Sequence, residues 1–271
     1  MFKPLLLTFV LVASSSTVTA QAQIEPKIPA PVTKGLESFM FVGNSFFYFN
    51  NGLPSYVSKL AAAAPESHRP KFDFTMITIG GSGFDWHDME SYFRPHAIGY
   101  YSVDANNSIV FNPRKKYYDA VVMADCGLCP IHPQLGPIFF EYARKNAKIA
   151  RKHGAKPILF MTWAFQDRPE MTAQLSDAYT RAGNDNNELV IPAGLAFARA
   201  IRERPDISLY QPDKRHPTLL GSYLAAATVY AAIYQRSPED SSYTAGIDPE
   251  LARYLRKTAW IIAQEYYGAR K

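Results

Sequence analysis

Short blocks of uninterrupted apolar residues alternate along this chain with longer segments whose apolar positions recur at helical spacing. The blocks predict strands over 38–43, 73–79, 118–124, 156–163 and 207–211, and the spaced segments predict helices over 53–65, 136–153, 192–204, 217–235 and 248–267. Ile158-Leu159-Phe160-Met161 has no polar position at all, as expected of a strand covered on both faces in a parallel sheet. Strands alternating with helices predict a single-domain three-layer α/β/α sandwich with a mostly parallel, flavodoxin-like five-stranded sheet. Ligands of such folds bind beyond the carboxyl ends of the strands. The polar run Asn184-Asp185-Asn186-Asn187 predicts a turn.

The first residues follow a different pattern. Met1-Phe2-Lys3 is a short positive start, Leu5 to Val12 an apolar stretch, and Val18-Thr19-Ala20 or Ala20-Gln21-Ala22 a small-residue cleavage site. That order predicts a signal peptide over 1–22 and a periplasmic or secreted protein, with no stable membrane insertion after cleavage. Residues 23–34, rich in proline, predict an extended lead-in to a domain over 35–271. Roughly 250 residues suit one domain with a full core. The formal charge of +5 is spread along the chain, with short clusters such as Arg114-Lys115-Lys116 and no nucleic-acid motif, so no nucleic-acid partner is expected.

Candidate chemistry sits at two of the predicted strand ends. Ser38-Phe39-Met40-Phe41-Val42 runs into Gly43-Asn44-Ser45-Phe46, and Asp213-Lys214-Arg215-His216-Pro217 lies between the last apolar block and a long helical segment. A serine hydroxyl needs a base within hydrogen-bond reach, and the base needs a partner that fixes its tautomer. Ser45, His216 and Asp213 can supply these three roles, the i to i+3 spacing allowing one tight loop to present the last two. The plainer alternative makes Ser45 a turn or N-cap residue and Asp213 and His216 caps of the next helix.

These blocks resemble the SGNH hydrolases, also called GDSL-type esterases and lipases. Gly43-Asn44-Ser45-Phe46 is similar to the first motif of that superfamily, with Asn44 where aspartate is usual; Gly80 or Gly81 matches the second; Asp213, His216 and Pro217 match the last. Met161-Thr162-Trp163 and Ile191-Pro192-Ala193-Gly194 read like a secreted bacterial branch. The resemblance implies an ester hydrolase without metal or organic cofactor. It also implies an oxyanion hole made by the backbone N–H groups of Ser45 and of Gly80 or Gly81.

One motif departs from the family. After the third predicted strand, where an asparagine or glutamine amide usually helps hold the oxyanion, the chain reads Ala124-Asp125-Cys126-Gly127-Leu128-Cys129-Pro130. Losing one such donor costs about 3 kcal/mol of transition-state stabilisation, and the Gly127 N–H is a candidate replacement. Cys126 and Cys129 predict a local disulfide, with a thiol–disulfide redox protein as an alternative, since CxxC between a strand and a helix is the thioredoxin-like arrangement.

Around the cleft, Asn44, Phe46, Trp86, His87 and Trp163 are candidate substrate contacts, and Phe46-Phe47-Tyr48-Phe49 a candidate apolar wall. The expected function is therefore a secreted serine esterase acting on small-molecule or polysaccharide esters, O-acyl carbohydrate or lipid-like. A catalytically weak carbohydrate-binding module on the same fold is the other possibility.

Overall fold

A computed structural model describes residues 24–30, 35–94, 97–98, 101–111 and 116–268. The expected signal peptide and part of the lead-in lie outside the described residues. In chain order the elements are β1 (Ser38–Gly43), α1 (Ser45–Tyr48), α2 (Leu53–Ala62), β2 (Asp73–Thr78), α3 (Met89–Tyr92), β3 (Tyr101–Val103), β4 (Ile109–Phe111), β5 (Ala120–Met123), α4 (Gly136–Lys152), β6 (Lys156–Phe160), α5 (Met171–Asn186), β7 (Leu189–Ile191), α6 (Ala193–Glu203), α7 (Leu219–Tyr234) and α8 (Pro249–Tyr266).

Five strands form one parallel sheet in the order β2-β1-β5-β6-β7. Counted along the sheet this is the 2-1-3-4-5 arrangement of flavodoxin-like folds, with the reversal of winding between β1 and β5. On one side α2 packs on α7 and α7 on α8; on the other α4 packs on α5; α6 touches α5, α7 and α8. The result is a single-domain α/β/α sandwich. β5 is buried at every position, and Phe39, Phe41, Phe160 and Met123 are fully enclosed beneath the helices. α7 is buried from Gly221 to Ile233, which explains its nearly unbroken run of apolar and small residues. β3 and β4 form a separate antiparallel hairpin.

Two expectations give way at the far edge. Residues 207–211 make a single bridge, Tyr210 to Pro217, rather than a strand; the fifth strand is β7, paired with β6. A strand there needs a crossover after β6, and α5 provides it. Asn184, Asp185 and Asn186 accordingly close α5 instead of forming a free turn, and the turn is Asn187 alone, in the left-handed conformation.

Candidate active site

Ser45 opens α1 at the end of β1. Asn44 adopts an extended conformation and caps that turn, its Oδ1 accepting from the Phe46 N–H. Its Nδ2 donates to the Ser82 and Asp125 carbonyls at 2.9 and 3.1 Å. One side chain thereby ties together the loops after β1, β2 and β5, at the winding reversal of the sheet. From the other end of the chain, Asp213-Lys214-Arg215-His216 folds as a tight turn with Lys214 at φ 64°. Asp213 Oδ1 accepts from the Arg215 and His216 N–H groups, both at 3.0 Å. Asn50 fastens this turn to the segment after α1 by donating to the Pro217 carbonyl at 2.9 Å.

The two ends meet through their side chains. His216 Nε2 lies 2.8 Å from Ser45 Oγ, and His216 Nδ1 is hydrogen-bonded to Asp213 Oδ2. The carboxylate fixes Nδ1 as the protonated nitrogen, which leaves Nε2 as an acceptor toward the serine hydroxyl. Desolvation pushes the Asp213 carboxyl up, but hydrogen bonds from the His216 ring and from the N–H groups of Arg215 and His216 outweigh it and hold the group at about 2. The Phe49 ring lies flat on the imidazole, centroids 4.2 Å apart and planes within 6°, while Phe46 meets it edge-on.

A cavity of about 370 Å³ opens on Ser45 and His216, with Gly81, Cys126, Gly127, Phe165 and Arg215 in its wall. Among the described residues, none accepts a hydrogen bond from the N–H of Ser45, Gly81 or Gly127, so three backbone donors in this wall remain available to a ligand. Gly81 has φ 74°, which favours glycine. Gly127 is wedged between rings: a Cβ there would lie 2.9 Å from Phe165 and 3.0 Å from Phe46.

No family model and no curated protein sequence matches the chain. Solved structures do. A DUF4886 family protein from Bacteroides uniformis superposes with a TM-score of 0.59 at 19% identity, covering 83% of this chain and 94% of the other. A protein from Slackia heliotrinireducens assigned to the SGNH hydrolases gives 0.53 at 17%, covering 73% and 98%. A variant of the acetylxylan esterase Axe2 from Geobacillus stearothermophilus gives 0.50 at 13%, covering 77% and 94%. The chain has the SGNH-hydrolase fold.

Against that fold, the sequence candidates separate into two groups. Ser45, His216, Asp213, Gly81, Gly127, Phe46 and Cys126 converge on the cleft. Gly80 stands instead against the Tyr48 hydroxyl, and Asn44, although in the wall, has its amide engaged by the loops it joins. Trp163 is fully buried, stacked on Phe197 with centroids 4.1 Å apart, and donates from Nε1 to the Arg215 carbonyl at 2.9 Å. It supports the Asp–His turn from beneath and does not reach the cavity. His87 is buried behind β1: Nε2 meets the Gly43 carbonyl at 3.1 Å and Ser82 Oγ at 3.0 Å, and Nδ1 meets the Tyr92 hydroxyl. Burial holds its pKa below the ordinary value, and its role is to pin the loop after β2. Trp86 is exposed and lies outside the cavity wall.

The loop after β5, where the sequence departs from the motif it resembles, is built around a buried aspartate. Asp125 does not face the cleft; it is buried, and its Oδ1 accepts from the Phe84 and Cys126 N–H groups at 3.2 and 2.7 Å. The next two residues, Cys126 and Gly127, reach the cavity wall. Cys126 and Cys129 are paired through sulfur, closing a four-residue ring around Gly127. A 3₁₀ turn over Cys129–Ile131 follows, and α4 begins at Gly136, so CxxC is not at the N-terminus of a long helix as the thioredoxin-like alternative requires. Asp125 and the two sulfurs come within 4.8 Å of one another, but sulfurs bonded to each other offer no thiolate to a metal. Phe165 and Arg215 were not among the sequence candidates, and of the expected aromatic wall Phe46 lines the cavity while Phe49 lies on the His216 ring. Arg215 lay inside the DxxH motif, and Phe165 past the end of β6, a position that a parallel sheet already marks as ligand-facing.

Proposed function

We propose that the protein is an exported serine ester hydrolase in which Ser45 is the nucleophile, His216 the general base and acid, and Asp213 the group that orients and charge-balances the imidazole. One observation carries this reading: the unbroken hydrogen-bond chain from Asp213 through His216 to Ser45, opening on a cavity whose wall presents free backbone N–H groups. Ser45 Oγ attacks the ester carbonyl as its proton passes to His216 Nε2. The N–H groups of Ser45, Gly81 and Gly127 take the negative charge that develops on the carbonyl oxygen. His216 returns the proton to the departing alkoxide, leaving an acyl group on Ser45, and the same imidazole then activates the water that releases it. The esterase among the structural neighbours supports the choice of ester over other acyl compounds. The signal-like N-terminus and the paired cysteines support a periplasmic or secreted location.

Purified mature protein is expected to hydrolyse p-nitrophenyl acetate and to be labelled on Ser45 by a fluorophosphonate. Ser45→Ala should lower kcat by at least about a thousandfold and abolish labelling. Turnover that survives Ser45→Ala, or labelling on another residue, overturns the assignment.

A further inference from the structure

Arg215 stands between the two proposed triad residues of the last motif, and its side chain forms part of the cavity wall beside Ser45. Its guanidinium lies over the Phe165 ring, 4.8 Å from the centroid. Its backbone is fixed at both ends, the N–H donating to Asp213 Oδ1 and the carbonyl accepting from Trp163 Nε1. Among the described residues no carboxylate forms an ion pair with it. Asp167, the acidic residue of the same wall, pairs with Lys214 at 3.5 Å, and Arg168, a second cation there, reaches its exposed neighbour Glu170 at 3.5 Å. The cleft thus holds a cation on an aromatic face, anchored by the turn that carries the proposed base, without a counter-ion among the described residues. A guanidinium so placed presents a planar fork of donors matched to a carboxylate.

Resting on the esterase reading of the same site, we propose that the substrate is an ester that carries a carboxylate, and that Arg215 recognises it. The carboxylate lies within a few bonds of the scissile ester, because Arg215 and Ser45 share one wall. It belongs either to the acyl half, as in a half-ester of a dicarboxylic acid, or to the alcohol half, as in an O-acylated acidic sugar. Arg215 takes no proton and forms no bond; it acts by holding the anion and hence the reacting carbonyl in register with Ser45.

The test compares esters that differ only in whether the carboxylate is free or masked as its methyl ester. Mono(4-nitrophenyl) glutarate probes the acyl half and 4-acetoxybenzoate the alcohol half, with Ser45→Ala giving the background. In wild type, kcat/KM should favour the free carboxylate by about tenfold or more in one pair, as one charge-assisted contact provides, and that pair identifies the half. The preference should fall close to unity in Arg215→Gln, survive in part in Arg215→Lys, and shrink at 0.5 M KCl. Ratios of unity or below in both pairs, or a preference unchanged in Arg215→Gln, overturn the proposal. Calorimetric binding of the intact compounds to Ser45→Ala decides it without turnover: equal affinity for free and masked members overturns it, and a preference lost on adding Arg215→Gln supports it. Failure of the esterase reading is seen separately, as absence of Ser45-dependent turnover of neutral esters.

Discussion

Phe49 lies flat on the His216 imidazole, and the Asp213 carboxylate holds the same ring by one edge. Two perpendicular restraints leave the proposed base little freedom to turn away from Ser45. An aromatic contact of this kind is worth about 1 kcal/mol beyond area burial, so Phe49→Ala should lower kcat roughly three- to tenfold while KM stays within a factor of about two. Phe49→Tyr, which keeps the ring, should restore most of the loss. Steady-state kinetics on p-nitrophenyl acetate checks both, and equal kcat values for wild type and the alanine variant would remove the role. Ser45, Asp213 and His216 were legible in the sequence because their residue types and spacing already imply a reaction. Phe49 was not, because one aromatic in Phe46-Phe47-Tyr48-Phe49 looks like another; Phe47 is fully buried in the core and Phe49 meets the imidazole.

The loop after β5 shows the same division at the level of elements. Its apolar strand and its CxxC were plain in the chain, but which of its groups faces the cleft depends on Asp125 being turned inward by the Phe84 and Cys126 N–H groups. With Asp125 held there, the ring closed by Cys126 and Cys129 fixes Gly127 against Phe165 and Phe46. Closing a loop of this length constrains the unfolded chain by about 2 kcal/mol. Cys126→Ser/Cys129→Ser should therefore lower Tm by about 5 °C and reduce kcat several-fold as Gly127 N–H loses its fixed position. Calorimetry and ester kinetics with and without reductant read the two effects; a double variant with unaltered kcat would show that the ring does not position the donor. Elsewhere β1, β2, β5 and β6 stood out as apolar runs, whereas β7 is three residues fused in sequence to the start of α6. The block at 207–211 was the more strand-like of the two, yet β7 takes the edge slot beside β6, because α5 delivers it there. Pairing partners, which no local pattern contains, made that choice.

Across the whole molecule, carboxylates set opposing pH trends. Asp119 is held at about 2: burial pushes it up, but the Glu37 and Ser38 N–H groups, Lys116 and the Ser38 hydroxyl outweigh that effect. Its contribution, like that of Asp213, is present above the unfolded value near 4 and is lost as pH falls toward 2. Asp125 behaves in the opposite sense. Burial raises it to about 7, the Asp85 charge adds to the rise, and the Cys126 and Phe84 N–H groups offset part of it. Glu188 is also fully enclosed and raised, neither carboxylate oxygen having a partner among the described residues. Folded protein therefore binds protons that the unfolded chain has released, and stability falls as pH climbs from about 4 through 7, by up to about 4 kcal/mol for Asp125 alone. His87, whose buried ring is held below its ordinary value, opposes this trend as pH falls below about 6.5. Urea unfolding should give a larger free energy at pH 5 than at pH 8. Asp125→Asn, which keeps an oxygen to accept from Phe84 and Cys126 and removes the charge, should raise the pH 8 value and leave the pH 5 value nearly unchanged. A wild-type protein as stable at pH 8 as at pH 5, or an Asp125→Asn variant with the wild-type slope, would place the ionisation of Asp125 outside the folding equilibrium. The same variant also probes the cleft, because Asp125 orients the loop through its acceptor oxygen and not through its charge: kcat at pH 8 should stay within about twofold of wild type while stability rises.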